Sequence, residues 1–85
     1  MSGRTGRSAS TREAVVRQML GEMADRLEKN RPDQPITAIG RIALIQATTM
    51  DPILSAALRR QVPEITGSVV RREYAAQLRE IAGVA

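Results

Sequence analysis

The stretch Ile36–Met50 reads I-T-A-I-G-R-I-A-L-I-Q-A-T-T-M, with nine apolar residues in fifteen and a single charge at Arg41. At about 100° per residue its apolar side chains spread around most of a helix, which is typical of a buried helix. Its Ile and Thr content would also suit a strand. Strands usually end after about 4–8 residues, however, and this run continues without a break. We therefore expect a central helix over 36–49.

Small residues recur along this stretch and would let another helix approach closely. Gly40, Ala43 and Ala47 form a narrow face at helical spacing, and Ile39 and Ile42 lie beside them. Three short neighbouring helices would not easily enclose a helix that is apolar on nearly every side. These five residues are therefore candidates for a helix-packing or oligomer interface.

Three further helices flank the central one. Val16, Leu20, Met23 and Leu27 recur at spacings of four, three and four, which indicates an amphipathic helix over about 11–29. Asp51-Pro52 is a helix start, with Asp as the N-cap and Pro at the first position, and Pro63 ends that helix near residue 62. Ser68 is a candidate N-cap for a last helix over 68–82, where Tyr74 packs its ring in the core. The methionines, Met50 among them, are expected as core filler.

The predicted fold is thus all-α, a small bundle of four helices around an apolar central one. Residues 10–85 would form a single domain, because 85 residues suffice for one and no more. Residues 1–9 are Gly, Ser, Thr and Arg with almost nothing to bury, so we expect a disordered basic tail. No run reaches the roughly 18 apolar residues of a membrane span. The absence of cysteine is compatible with a reducing cytoplasm, where we expect the protein to work.

The composition argues against an enzyme and against a metal or other cofactor. The chain has no His and no Cys, so the usual base at neutral pH and the commonest metal ligands are missing. The carboxylates are scattered, and there is no nucleophile elbow, P-loop or dinucleotide fingerprint. No small-molecule substrate is evident either. A binding protein is the remaining broad class.

The net charge of +4 is concentrated in two places, the N-terminal tail and the stretch from residue 59 to residue 72. Gly67-Ser68 followed by two arginines would place a basic first turn on the last helix, and such a turn favours anions. A helix, a turn and a second helix with that character is the outline of a helix-turn-helix DNA reader. The candidate phosphate contacts are Arg59, Arg60, Ser68, Arg71 and Arg72, with Arg4 and Arg7 of the tail.

Two functions follow from these patterns. The first is a small basic regulator or accessory protein, dimeric like many bacterial regulators of transcription, that contacts double-stranded DNA. The alternative is a helical protein–protein interaction module, such as an adaptor, a small subunit or a self-associating scaffold, without nucleic-acid binding. A plainer interpretation also stays open, in which Ser68 simply caps a helix and the arginines lie on a solvated face. The high ratio of Arg to Lys has a similarly plain explanation in a GC-rich genome.

Overall fold

A computed structural model describes the backbone of residues 3–83 and the side chains of residues 11–83. Within that range the chain forms four helices: α1 (Gly3–Lys29), α2 (Ala38–Thr48), α3 (Pro52–Gln61) and α4 (Arg71–Ala82). The described residues contain no strand beyond an isolated bridge between Pro35 and Val70. The all-α bundle of four helices is confirmed. No helix among the described residues has the length and hydropathy that crossing a membrane requires.

The boundaries at α1 and α4 differ from the predicted ones. The backbone is helical from Gly3, so the segment expected to be a disordered tail is, from that residue on, continuous with α1. Ser10 therefore lies inside α1 and does not begin it. Residues 1–10 contain no proline, and an established helix adds each further residue at little cost. At the other end of the chain, α4 begins at Arg71, and its N-cap is Val70 rather than Ser68.

Side-chain caps fix the starts of α2 and α3. The Thr37 hydroxyl accepts a hydrogen bond from the amide of Gly40 at 3.0 Å, which places the start of α2 at Ala38. The Asp51 carboxylate accepts from the amides of Ile53 (2.8 Å) and Leu54 (3.2 Å). The predicted Asp-Pro start of α3 is thus confirmed, and α2 and α3 are joined by only three residues.

The core is built chiefly by α1 and α4, which run antiparallel. The Arg71 side chain at the start of α4 reaches the carbonyl of Asn30 beyond the end of α1, whereas Arg79 reaches back to Asp25 and Glu28. Among the side chains of residues 11–83, these two helices supply nine of the fourteen buried apolar residues: Val16, Leu20, Met23, Ala24, Leu27, Tyr74, Ala75, Leu78 and Ala82. The predicted apolar stripe of the first helix is confirmed, and Tyr74 packs its ring in the core as expected.

The central position predicted for α2 is wrong. Only Leu44 and Ile45 of this helix are buried, together with Ile36 just before it. The apolar stripe of the 27-residue α1 is long enough to pair with α4 along its second half, so the core forms between those two helices. α2 and α3 then cover one side of that pair, and α2 uses one narrow side of its surface to do so.

Two connecting segments meet and tie the bundle together at one end. The amide of Ile36 donates to the carbonyl of Val69 at 2.9 Å, and the amide of Arg71 donates to the carbonyl of Gln34 at 2.8 Å. Arg31 turns the chain after α1 with a left-handed φ of 51°. As a result, the chain enters the α2–α3 segment and leaves it at neighbouring points.

Candidate functional site

Arg71 and Arg72 are used within the fold. The Arg71 Nε donates to the Asn30 carbonyl at 2.8 Å, and the Arg72 guanidinium forms an ion pair with Asp33. The amide of Arg71 is bonded to Gln34 as described above, and the amide of Arg72 donates to the Pro32 carbonyl at 2.9 Å. An anion at this helix end would need the first two amides of α4. Both amides already donate to main-chain carbonyls of the fold.

Ser68 does not assist an anion site at this helix. It lies three residues before α4 on an exposed segment, and the start of the helix is held instead by Glu73, whose carboxylate accepts from the amide of Val70 at 3.4 Å. A carboxylate in the first turn also offsets the positive end of the helix dipole. The phosphate contact at Ser68, Arg71 and Arg72 stays a prediction, and an anion at this helix end would compete with these internal bonds.

Arg59 and Arg60 have a different environment. Both are exposed in the last turn of α3, where a cation is favourable for the helix dipole. Among the residues with described side chains, neither guanidinium forms an ion pair. The structure therefore divides the predicted four-arginine cluster into a pair held by the connector before α2 and a pair that faces solvent. The side chains of Arg4 and Arg7 lie outside the described residues.

Arg41, which the sequence marked only as the lone charge of an apolar stretch, holds the end of α3. Its guanidinium donates to three carbonyls, those of Arg59 (3.0 Å), Val62 (2.9 Å) and Pro63 (3.0 Å). The last carbonyls of a helix have no partner within it, so a half-buried arginine that bonds them acts as a cap. A single charge within a long apolar run is the sequence signal that could have identified this role.

The Tyr74 hydroxyl donates to the same Pro63 carbonyl. Burial of the ring raises the pKa of Tyr74 above its ordinary value, and the nearby Arg41 partly opposes that shift. Arg41 and Tyr74 together bind the segment after α3 to α2 and α4. They explain why Pro63, predicted only to end a helix, is a junction between three elements.

Arg79 ties α4 to α1 on the surface. Its guanidinium lies 2.5 Å from Asp25 and 2.6 Å from Glu28. The hydrogen bonds to Arg79 lower the pKa of both carboxyls below their ordinary values. Asp25 and Glu28 of α1 are thus structural partners of Arg79. Among the described residues, no group of three or more potential ligands could hold a metal ion.

The most unusual surface of the molecule is on α2. The exposed fractions are 79% for Ile39, 48% for Ile42 and 97% for Met50, which follows the helix. At helical spacing Ile39 and Ile42 share one side of α2 with Ala43, Gln46 and Ala47, all of them exposed, and Met50 lies next to Gln46 in the cleft between the end of α2 and α3. We name this set of six residues the α2 outer face. Met50, predicted as core filler, is the most exposed large apolar residue of the chain's described part.

The structure also separates the five predicted interface residues, four of which are exposed and one of which is half-buried. Ile39, Ile42, Ala43 and Ala47 lie together on the α2 outer face, whereas Gly40 lies at its edge and is half-buried. A Cβ placed at Gly40 would meet Thr37 Oγ1 at 3.3 Å and Ile36 Cγ1 at 3.4 Å, both in its own helix start. The close helix contact expected at Gly40 is thus a contact with the N-cap rather than with another helix of this chain.

Among the clefts that α3 lines in the described part of the chain, two are large enough or near enough to α2 to be considered. One, of about 460 Å³, lies between α1 and α3 and is lined by Val16, Leu20 and Ala57 together with the charged residues Arg12, Glu13 and Arg17 and by Gln61. Because Val16 and Leu20 are already buried, little apolar surface is left there for a ligand to cover. The other lies between the end of α2 and α3 and includes Gln46, Met50 and Arg59, so it continues the α2 outer face toward α3.

Comparison with known proteins gives no relative from which a function could be transferred. No protein-family model, no curated protein and no solved structure matches the chain.

Proposed function

We propose that the chain is a helical protein–protein interaction module whose docking surface is the α2 outer face. The observation that supports this proposal is the exposure of Ile39 and Ile42 on one side of α2 and of Met50 just beyond its end, next to Gln46. These three side chains expose on the order of 400 Å² of apolar surface, within the range of the largest patch on a monomer, which is often functional. Covering such a surface is favourable by about 25 cal/mol per Å².

The absence of charge on this surface supports the same proposal. Arg41 is the only charged residue between Asp33 and Asp51, and its guanidinium is turned toward the carbonyls at the end of α3. The α2 outer face therefore consists of apolar side chains and one amide, Gln46. The fully buried centre of a protein interface is likewise depleted of charge.

A photo-crosslinking amino acid at Ala43 tests this proposal in the cells that make the protein. Ala76 is the matched control, because it is also an exposed alanine near the middle of a helix, on α4. We expect a covalent adduct to protein at position 43 and little or none at position 76. Equal yields at the two positions, or no adduct at either, would contradict the proposal.

Arg59 and Arg60 favour a second candidate function, contact with nucleic acid. They keep the character predicted for phosphate contacts, since they are exposed on one turn of α3 and unpaired among the described side chains. Guanidinium groups bind phosphate oxygens in a two-pronged way. The absence of cysteine suits a cytoplasmic location for either function.

Fluorescence anisotropy with a generic DNA duplex at about 50 mM salt tests this second candidate. Binding should weaken steeply as salt rises, and Arg59→Ala and Arg60→Ala should each weaken it and reduce the salt dependence by about one phosphate contact. Arg26→Ala, at an exposed arginine of α1, is the control. No binding at micromolar protein, or equal losses in all three variants, would rule out this role for α3.

A further inference from the structure

We infer that the partner of the α2 outer face is a second copy of this chain, packed with its α2 antiparallel to the first. The inference rests on the proposed function, because it takes the α2 outer face as the docking surface and names what covers it. Charge and side-chain spacing permit a second copy, and the exposed apolar area reaches the lower limit for a specific dimer.

Charge permits the pairing. Two copies of a chain with net charge +4 repel one another over most of their surfaces. The α2 outer face carries no charged side chain, and the guanidinium of Arg41 is bonded to three carbonyls on the other side of the helix. Arg59 lies beside Gln46 and Met50 at one end of this face, so a two-fold axis would place the two Arg59 side chains at opposite ends. A second copy thus meets the first where like charges are absent.

The spacing of side chains is self-complementary in an antiparallel pair. With a two-fold axis at the level of Leu44 and Ile45, Ala43 lies opposite Gln46 of the second copy. Ile42 lies level with Ala47 of the second copy. The alanines near the axis therefore allow the helices to approach, and the two Gln46 amides lie close to it. Ile39 of one copy and Met50 of the other lie toward the same end of the pair, because the helices are antiparallel.

The area reaches the lower limit for a specific dimer. If the three large side chains of both copies were fully covered, about 800 Å² would leave water, and the alanines and Gln46 would bring the total to about 1,000 Å², below the roughly 1,200–2,000 Å² of stable interfaces. This size predicts a reversible dimer, with a dissociation constant nearer micromolar than nanomolar.

The mass of the full chain in solution, measured between about 1 and 200 µM, tests the inference together with two matched variants. We expect the wild type to pass from monomer to dimer over this range. Ala43→Asp should weaken association at least about 30-fold, since each copy would bury a carboxylate near the axis. Ala76→Asp places the same residue at an exposed position of α4 and should dimerise as the wild type does. Circular dichroism confirms that both variants are folded.

Cysteine pairs test the antiparallel register, and the chain has no cysteine of its own to interfere. A mixture of the Ala43→Cys and Gln46→Cys chains should form a disulfide between the two variants under mild oxidation, because facing positions meet the distance limit of about 7 Å between Cα atoms. Ile39→Cys alone should not crosslink, since its two copies would lie about 16 Å apart along the helix axis. Crosslinking of Ile39→Cys without the 43–46 pair would overturn the antiparallel register.

The outcomes separate this inference from the proposed function. A wild type that stays monomeric at 200 µM, or a dimer that Ala43→Asp leaves intact, overturns the second copy as partner. If adducts at position 43 then join the chain to a different protein, the docking surface stands with another occupant. If position 43 gives no adduct either, both the inference and the proposed function fail.

Discussion

Replacing Arg41 by Met is the sharpest test of how α2 and α3 are held together. The change keeps an aliphatic stem and removes all three hydrogen bonds to the carbonyls of Arg59, Val62 and Pro63. Hydrogen bonds to a charged group contribute about 1.5–3 kcal/mol each, but water can reach the Arg59 carbonyl and Tyr74 still bonds that of Pro63. We therefore expect a loss of about 2–3 kcal/mol, which is a large part of the 4–13 kcal/mol or so typical of a chain of this length.

Urea unfolding followed by circular dichroism, at one fixed protein concentration, measures this loss. Arg41→Lys should cost about half as much, because an ammonium cannot span three carbonyls, and Arg17→Met, at an exposed site of α1, should change stability by less than about 0.5 kcal/mol. The double variant with Tyr74→Phe should lose more than the two single changes together, since the Pro63 carbonyl then has neither donor. A loss below about 1 kcal/mol for Arg41→Met would refute the capping role.

Three further predictions concern α4. Leu78→Ala should lower the unfolding free energy by about 2–5 kcal/mol in the same urea assay, because Leu78 is fully buried between α1 and α4; a loss under 1 kcal/mol would contradict that packing. Arg79→Gln should make the unfolding free energy depend less on pH. The folded-state pKa values of Asp25 and Glu28 are lowered, so their stabilisation is present above their unfolded values and is lost as pH falls through the folded ones. Parallel curves for wild type and variant from pH 7 to pH 2 or so would contradict this linkage. Gly83→Ala should cost about 1 kcal/mol or less in thermal unfolding, since Gly83 ends the helix at a φ of 77°; a gain in stability would contradict it.

The sequence was sufficient for the helices whose ends are set locally. Asp51-Pro52 predicted the start of α3 to the residue, because the cap and the proline act on the amides that follow them directly. The stripe from Val16 to Leu27 predicted the buried side of α1, since a single clear stripe leaves only one choice.

The sequence was insufficient where contacts between distant segments decide. The residues of α2 are apolar on most sides, but periodicity does not show how much surface the neighbouring helices can cover, and the α1–α4 pair became the core instead. Ser68 had the chemistry of a cap, yet α4 begins later because the connector before α2 supplies carbonyls to the amides of Arg71 and Arg72. Those partners are almost forty positions away in the chain, beyond any local signal.

The hydrogen bonds from Ile36 to Val69 and from Arg71 to Gln34 have a consequence for local stability. They close the point where the chain leaves for α2 and returns from α3, so residues 37–68 can open while α1 and α4 stay paired and this junction stays shut. The segment that carries the α2 outer face has fewer buried side chains than the α1–α4 pair, so we expect it to open as a unit of its own. Amide hydrogens of α2 and α3 should exchange with solvent faster than those of the paired parts of α1 and α4. A partner bound to α2 would slow hydrogen exchange in α2 and α3 more than in α1 and α4.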